Sequence, residues 1–222
     1  MNLNLLAFTD FHGNQEACGK AKKLIVETQP TLVIIAGDVF NHDFNRAKQH
    51  LIDLASVGRP VYFVPGNMDS AELASWPGDA NIRGLHGRCE YMGGVALVGL
   101  GGSPYGQFRT VFEYSEEEAT LVLGRGRGAY HGGKLVLVSH CPPRDTKLDK
   151  VSSGDHVGST SVREYVEKQK PVLVISGHVH EARAIDSIGE STLVNPGPAK
   201  DGKYADITLN ETINVRLLEL PL

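Results

Sequence analysis

Cysteine is scarce in this sequence: Cys18, Cys89 and Cys141 are the only three among 222 residues, and none is spaced as CxxC. That excludes a disulfide framework and a zinc-thiolate site, because both need several thiols at short spacings. Excess basic charge is lacking too. With 22 Lys and Arg against 26 Asp and Glu the formal net charge is −4, so no broad cationic face is available to grip duplex nucleic acid. No apolar run approaches the roughly 20 residues that span a bilayer, and the N-terminus lacks the basic-then-apolar layout of a secretory signal. The expectation is a cytoplasmic protein without a membrane role. Internal repeats and tracts of biased composition are also missing, so a single domain over residues 1–222 is expected.

What remains is 41% hydrophobic and 22% charged, close to the average for soluble globular chains. Short runs rich in Val, Ile and Leu at 3–8, 31–36, 60–64, 95–100, 134–138 and 171–175 predict strands covered on both faces. Helical patterns occupy 15–28, 45–56, 115–123 and 161–169, the last with Ser161 placed to cap and Glu164 as its reciprocal partner. Their alternation implies parallel βαβ units. Further on, 183–187, 191–194, 203–209 and 212–220 are strand-like and broken by Gly, Asn and Pro, which predicts antiparallel hairpins. The expected fold class is α/β, a two-sheet mixed β-sandwich flanked by helices. Arg125-Gly126-Arg127-Gly128 reads as a flexible basic loop, and His50, His86 and His131 as surface histidines.

Five motifs follow predicted strand ends, where open α/β sheets place their ligands. They are Asp10-Phe11-His12-Gly13-Asn14, Gly37-Asp38, Gly66-Asn67-Met68-Asp69, Ser139-His140 and Gly177-His178-Val179-His180. One such motif alone is a turn or a helix cap. Together Asp10, His12, Asp38, Asn67, His140, His178 and His180 supply oxygen and imidazole donors with no thiolate. That mixture suits Mn, Fe, Zn, Co or Ni better than Mg or Ca. The set is larger than one ion with open positions needs, whereas two ions about 3.5–4 Å apart, bridged by a carboxylate, use it fully and leave room for substrate.

In their order, these motifs resemble the calcineurin-like metallophosphoesterase superfamily, and the resemblance runs over nearly the whole chain. It implies a two-layer sandwich with Asp10, His12, Asp38 and His180 on one metal and Asp38, Asn67, His140 and His178 on the other. Asp38 then bridges. The cofactors implied are two divalent transition-metal ions, Mn favoured, with Fe, Zn, Ni or Co also suited. The expected chemistry is in-line attack on phosphorus by a metal-bridging hydroxide, with Asp38 and Asn67 counted as catalytic as well as ligating.

One position departs from the superfamily pattern: Met68 stands where the third motif usually has a His that assists substrate binding or leaving-group protonation. Methionine has no proton to give. The chain resembles the small prokaryotic phosphodiesterases whose third motif also lacks that His. Loss of a general acid costs roughly 10²- to 10⁴-fold in rate, which favours a diester over a monoester. His42, Asp43 and, first among them, His156 lie in loops that could supply the missing acid. Asp69 is expected to hydrogen-bond backbone or a ligand, and Asn195-Pro196-Gly197 to shape the loop behind the metals. Cys141 is expected to turn away, and Tyr105 with Arg109 forms a candidate substrate loop. The competing functions are a non-catalytic metal-binding scaffold, a phosphomonoesterase and a nuclease. The complete ligand set favours catalysis, and the acidic balance favours a small phosphate ester or nucleotide over duplex nucleic acid. A homo-oligomer stays open.

Overall fold

The computed structural model describes residues 3–106 and 108–220. Elements follow in the order β1 (Leu3–Phe8), α1 (Gln15–Thr28), β2 (Leu32–Ala36), α2 (Phe44–Ala55), β3 (Val61–Val64), α3 (Glu72–Ser75) and β4 (Ile82–Gly84). Next come β5 (Cys89–Met92), β6 (Val95–Leu100), β7 (Ser103–Pro104), β8 (Glu113–Tyr114), α4 (Glu116–Gly128) and β9 (Lys134–Ser139). The rest is α5 (Thr160–Gln169), β10 (Leu173–Ile175), β11 (Ala184–Ile188), β12 (Ser191–Asn195), a 3-10 turn at Ala199–Asp201, β13 (Lys203–Leu209) and β14 (Ile213–Glu219).

Two six-stranded sheets result, ordered β14-β13-β1-β2-β3-β4 and β11-β12-β10-β9-β6-β5. In the first, β1 to β4 run parallel; in the second, β12, β10, β9 and β6 do. The two C-terminal hairpins form as expected, but they part company. β13 joins β1 antiparallel in one sheet, while β12 joins β10 parallel in the other.

Alternation along each strand builds the layers. Leu5 and Ala7 of β1 enter the core between the sheets with Ile34, Val64, Val138 and Ile175. Leu6 and Phe8 face the other way, onto Ile25 of α1 and Leu51 of α2. On the far side, Val98, Leu137 and Val174 meet Leu123 of α4 and Val166 of α5. Strands buried on both faces must be apolar at every position, which is why LLAF and LVIIA read as unbroken runs. No helix among the described residues is long and apolar enough to cross a membrane.

Three local expectations are corrected. Helix α5 is capped by Ser159, whose side chain accepts from the Val162 N–H. Ser161 is buried and bonds Glu116 instead, and the reciprocal capping box lies at Ser115 and Glu118, opening α4. Arg125 to Gly128 is the last turn of α4, not a loop. Gly126 lets that turn lie against β6, since a Cβ there would meet Val98 at 2.8 Å, and Arg127 covers the Tyr130 ring at 4.5 Å. His50 is buried under Phe11, with ring centroids 5.0 Å apart.

Candidate metal centre

The seven donors leave the sheets at their carboxyl ends: Asp10 and His12 after β1, Asp38 after β2, Asn67 after β3, His140 after β9, and His178 and His180 after β10. Both sheets therefore contribute. Asp10, His12, Asp38 and His178 all hold positive φ, between 48° and 68°. Non-glycine residues avoid this left-handed region, and such strain persists where the surroundings over-determine it, as at ligand clamps. His178 and His180 both leave the turn that follows β10, and His178 there takes the left-handed conformation. Glycine at 66 permits a close approach, because a Cβ there would lie 2.0 Å from Asp38 Oδ1.

The donor atoms face one another without protons enough to satisfy them. His12 Nε2 lies 3.3 Å from His180 Nε2, 3.8 Å from Asp10 Oδ1 and 3.6 Å from Asp38 Oδ2. His180 Nε2 is 3.3 Å from Asp10 Oδ1, a fully buried atom with no hydrogen-bond partner. On the other side, Asp38 Oδ2 lies 3.7 Å from His140 Nε2, and Asn67 Oδ1 lies 2.9 Å from His140 Nε2 and 2.8 Å from His178 Nδ1. The Nδ1 of His140 pairs with the Ala36 carbonyl at 2.8 Å and that of His12 with Asn41 Oδ1 at 2.8 Å. Rings that donate there through Nδ1 and carry no second proton would turn bare Nε2 lone pairs inward, onto oxygen lone pairs, and a cation between them would relieve the contact.

Burial and charge agree with that reading. Burial pushes His178 down to about 3, reinforced by the charge of His140, and lowers His12 against the pull of Asn41 and Asp10. Both stay neutral and able to ligate. Asp38 is driven up by burial and by the Asp10 carboxylate beside it. Asp10 falls to about 2, since the imidazoles of His180 and His140 outweigh its burial, and its carboxylate in turn raises His180. Buried carboxylates in this state call for positive charge. Asp10, His12 and His180, and separately Asp10, Asp38 and His140, bring donor atoms within 4.8 Å of one another.

The calcineurin-like phosphoesterase family model matches residues 3–182. The chain belongs to that family. An uncharacterized protein of Methanocaldococcus jannaschii, MJ1162, is 29% identical over 203 residues, covering 88% of each chain. The crystal structure of TT1561 of Thermus thermophilus matches with a TM-score of 0.77 at 18% identity, covering both chains completely. A novel archaeal phosphodiesterase matches with a TM-score of 0.54 at 14% identity over 97% of this chain and 100% of its own. Divalent metal ions are implied for this phosphoesterase by its family, and the donor set fits them.

The remaining residues of this phosphoesterase fall into place around the centre. Asp69 accepts from the N–H groups of Val39, Phe40 and Gly66, tying the Asp38 loop to the Asn67 loop as expected. Burial and the Asp38 charge push it up to about 7. Asn195 donates to the Val179 carbonyl between the two histidines and accepts from Gly197 N–H. Cys141 is buried with its Sγ toward the Pro142 carbonyl, and burial raises its thiol. His156 pairs through Nδ1 with buried Asp149 at 2.7 Å, while His42 is exposed. Phe112 N–H bonds the Asn67 carbonyl at 3.0 Å, which fixes an arm bearing exposed Tyr105 and Phe108 to the third motif. Sequence reasoning missed Lys200, whose N–H donates to the Asp10 carbonyl at 3.2 Å. Its only sequence signal is its place just after Asn195-Pro196-Gly197.

Proposed function

We propose that this phosphoesterase hydrolyses a phosphodiester with two divalent ions. Asp10, His12, Asp38 and His180 hold one ion, and Asp38, Asn67, His140 and His178 hold the other. The observation that carries the reading is the position of Asp38: its Oδ2 stands between His12 and His140, at 3.6 and 3.7 Å, while its Oδ1 is occupied by the Met68 N–H at 2.8 Å. One oxygen is thus aimed at both halves of the donor set. A scaffold that had lost its chemistry has no reason to keep all seven donors converged. Ions bound there supply Lewis acidity toward phosphoryl oxygens and a water of lowered pKa as nucleophile. A mixed nitrogen and oxygen set suits Mn, Fe, Zn, Co or Ni, and Mn is the metal proposed here.

The chain's own residues set the preference for a diester. Met68 offers backbone to Asp38 and to His42 but no proton to a leaving group. A diester carries one negative charge less than a monoester dianion and meets an incoming anion with less repulsion. With matched aryl esters and added Mn, kcat/KM is expected to be higher for the diester, and Met68→His should shift the ratio toward the monoester by roughly tenfold. A strong wild-type preference for the monoester would overturn the diester reading. It would point to His156, whose Nδ1 is tied to Asp149 and whose Nε2 is left to serve as the acid.

A further inference from the structure

The loop between β2 and α2, Gly37 to Asp43, is pinned on both sides of Asn41. Val39 and Phe40 donate their N–H groups to the Asp69 carboxylate at 3.0 and 2.8 Å, His42 N–H donates to the Met68 carbonyl at 2.8 Å, and the Asp43 side chain caps α2. Asn41 is thereby fixed by its neighbours. Its own side chain is exposed and reaches across to the first motif, where its Oδ1 lies 2.8 Å from His12 Nδ1.

The imidazoles on the two sides of Asp38 are held in different ways. His140 is wholly buried, with its Nδ1 on the Ala36 carbonyl at 2.8 Å and its ring laid over Gly37, where a Cβ would come within 2.2 Å of that nitrogen. Packing and backbone fix that ring. The His12 side chain keeps 16% of its surface in solvent and meets the His180 ring edge-on, with centroids 5.2 Å apart. The last torsion of a histidine is broad, so a ring this open turns unless a hydrogen bond holds it. Nδ1 faces Asn41, while Nε2 faces Asp10, Asp38 and His180 at 3.8, 3.6 and 3.3 Å. A proton kept on Nδ1 leaves Nε2 free to ligate, and an amide oxygen, which can only accept, selects that proton position.

We infer that Asn41 is a positioning residue: its amide oxygen keeps the His12 proton on Nδ1 and aims Nε2 at the ion shared with Asp10, Asp38 and His180. This rests on the two-ion reading above. It gives the third motif a part beyond its ligand Asn67, since Asp69 and the Met68 carbonyl hold the loop from which Asn41 reaches. His140 has a backbone partner instead, so loss of the Asn41 amide should be felt on one side of the centre and not on the other.

The test uses the full-length protein, stripped of metal and titrated with Mn, in wild type, Asn41→Ala and Asn41→Asp. Asn41→Ala should weaken one of the two ions by roughly 10- to 100-fold, the size expected when a metal-bound histidine loses its partner, and leave the other within about 3-fold of wild type. Asn41→Asp still offers an oxygen to Nδ1 and should bind both ions at least as tightly as wild type. The thermal midpoint of the metal-free protein should be the same in all three, because residue 41 is exposed. Unchanged affinity for both ions in Asn41→Ala would overturn the inference and leave the two-ion reading standing. Equal weakening of both ions, a lowered metal-free midpoint, or an Asn41→Asp protein as impaired as Asn41→Ala would overturn it as well, since the side chain would then be supporting the loop or acting through its NH2 group. A wild-type protein that takes up fewer than two ions would bring down the dinuclear reading, and the inference with it.

Discussion

His50 lies on α2 at 1% exposure against the Phe11 ring, and neither of its nitrogens meets a hydrogen-bond partner among the described residues. Burial lowers it from 6.5 to about 4. Between those two values the unfolded chain takes up a proton that the folded chain refuses. Stability is therefore complete above about pH 6.5 and falls as pH drops toward 4, by on the order of 3 kcal/mol from this residue. His50→Leu removes the titration and the unpaired nitrogens together. In urea unfolding at fixed metal concentration, the variant should be at least as stable as wild type at pH 7 and lose about 2 kcal/mol less on going to pH 4.5. Parallel losses in the two proteins would show that His50 does not sense the pH. The histidine is invisible as a core residue in the sequence because its type belongs with surface positions; only its place on the buried stripe of α2 decides otherwise.

At the scale of elements, the junction of α4 and α5 is built on one side chain. Glu116 opens α4, and its carboxylate accepts from Ser159 Oγ at 2.6 Å, Thr160 N–H at 2.9 Å and Ser161 N–H at 3.0 Å. The two N–H groups are orphan donors of the α5 N-terminus, so one helix satisfies the other. Glu116→Ala should lower stability by about 2 kcal/mol, the cost of a lost cap with partly buried donors, and Glu116→Gln by less. Metal content should be unchanged, because His140 and His178 hang from strand ends and not from this junction. A metal-depleted but fully stable Glu116→Ala protein would contradict both statements. Local signals of this kind were only half legible. The segment shows Ser159, Thr160 and Ser161 in succession, and which hydroxyl caps depends on the carboxylate arriving from 43 residues away.

For the whole molecule, the centre ties one sheet to the other: Asp10, Asp38 and Asn67 come from the first, His140 and His178 from the second. Ions bound there stabilise only the folded chain. At concentrations near 100 times Kd each would add roughly 3 kcal/mol, so chelation should lower the melting midpoint by on the order of 5–10 °C or more. Re-addition of Mn should restore it. A midpoint indifferent to chelator in a protein shown to hold metal beforehand would mean that the sheets do not depend on their shared ligands.

Much of this arrangement is determined by the sequence alone. The strands β1, β2, β3, β6, β9 and β10 announce themselves as apolar runs because both their faces are covered. The seven donors stand out because glycines and carboxylate or imidazole side chains recur at the ends of those runs. By contrast β4, β5, β7 and β8 are short or only half-buried, and they carry too few residues for a period to register. Tertiary structure alone decided that the two C-terminal hairpins go to opposite sheets, that Asp38 turns one oxygen to both halves of the donor set, and that Lys200 meets the Asp10 segment. Periodicity records which faces of a segment are covered. Which partner covers them, and which distant side chains then share one buried space, is settled when the sheets close on each other, since only then do burial and charge act between residues far apart in the chain.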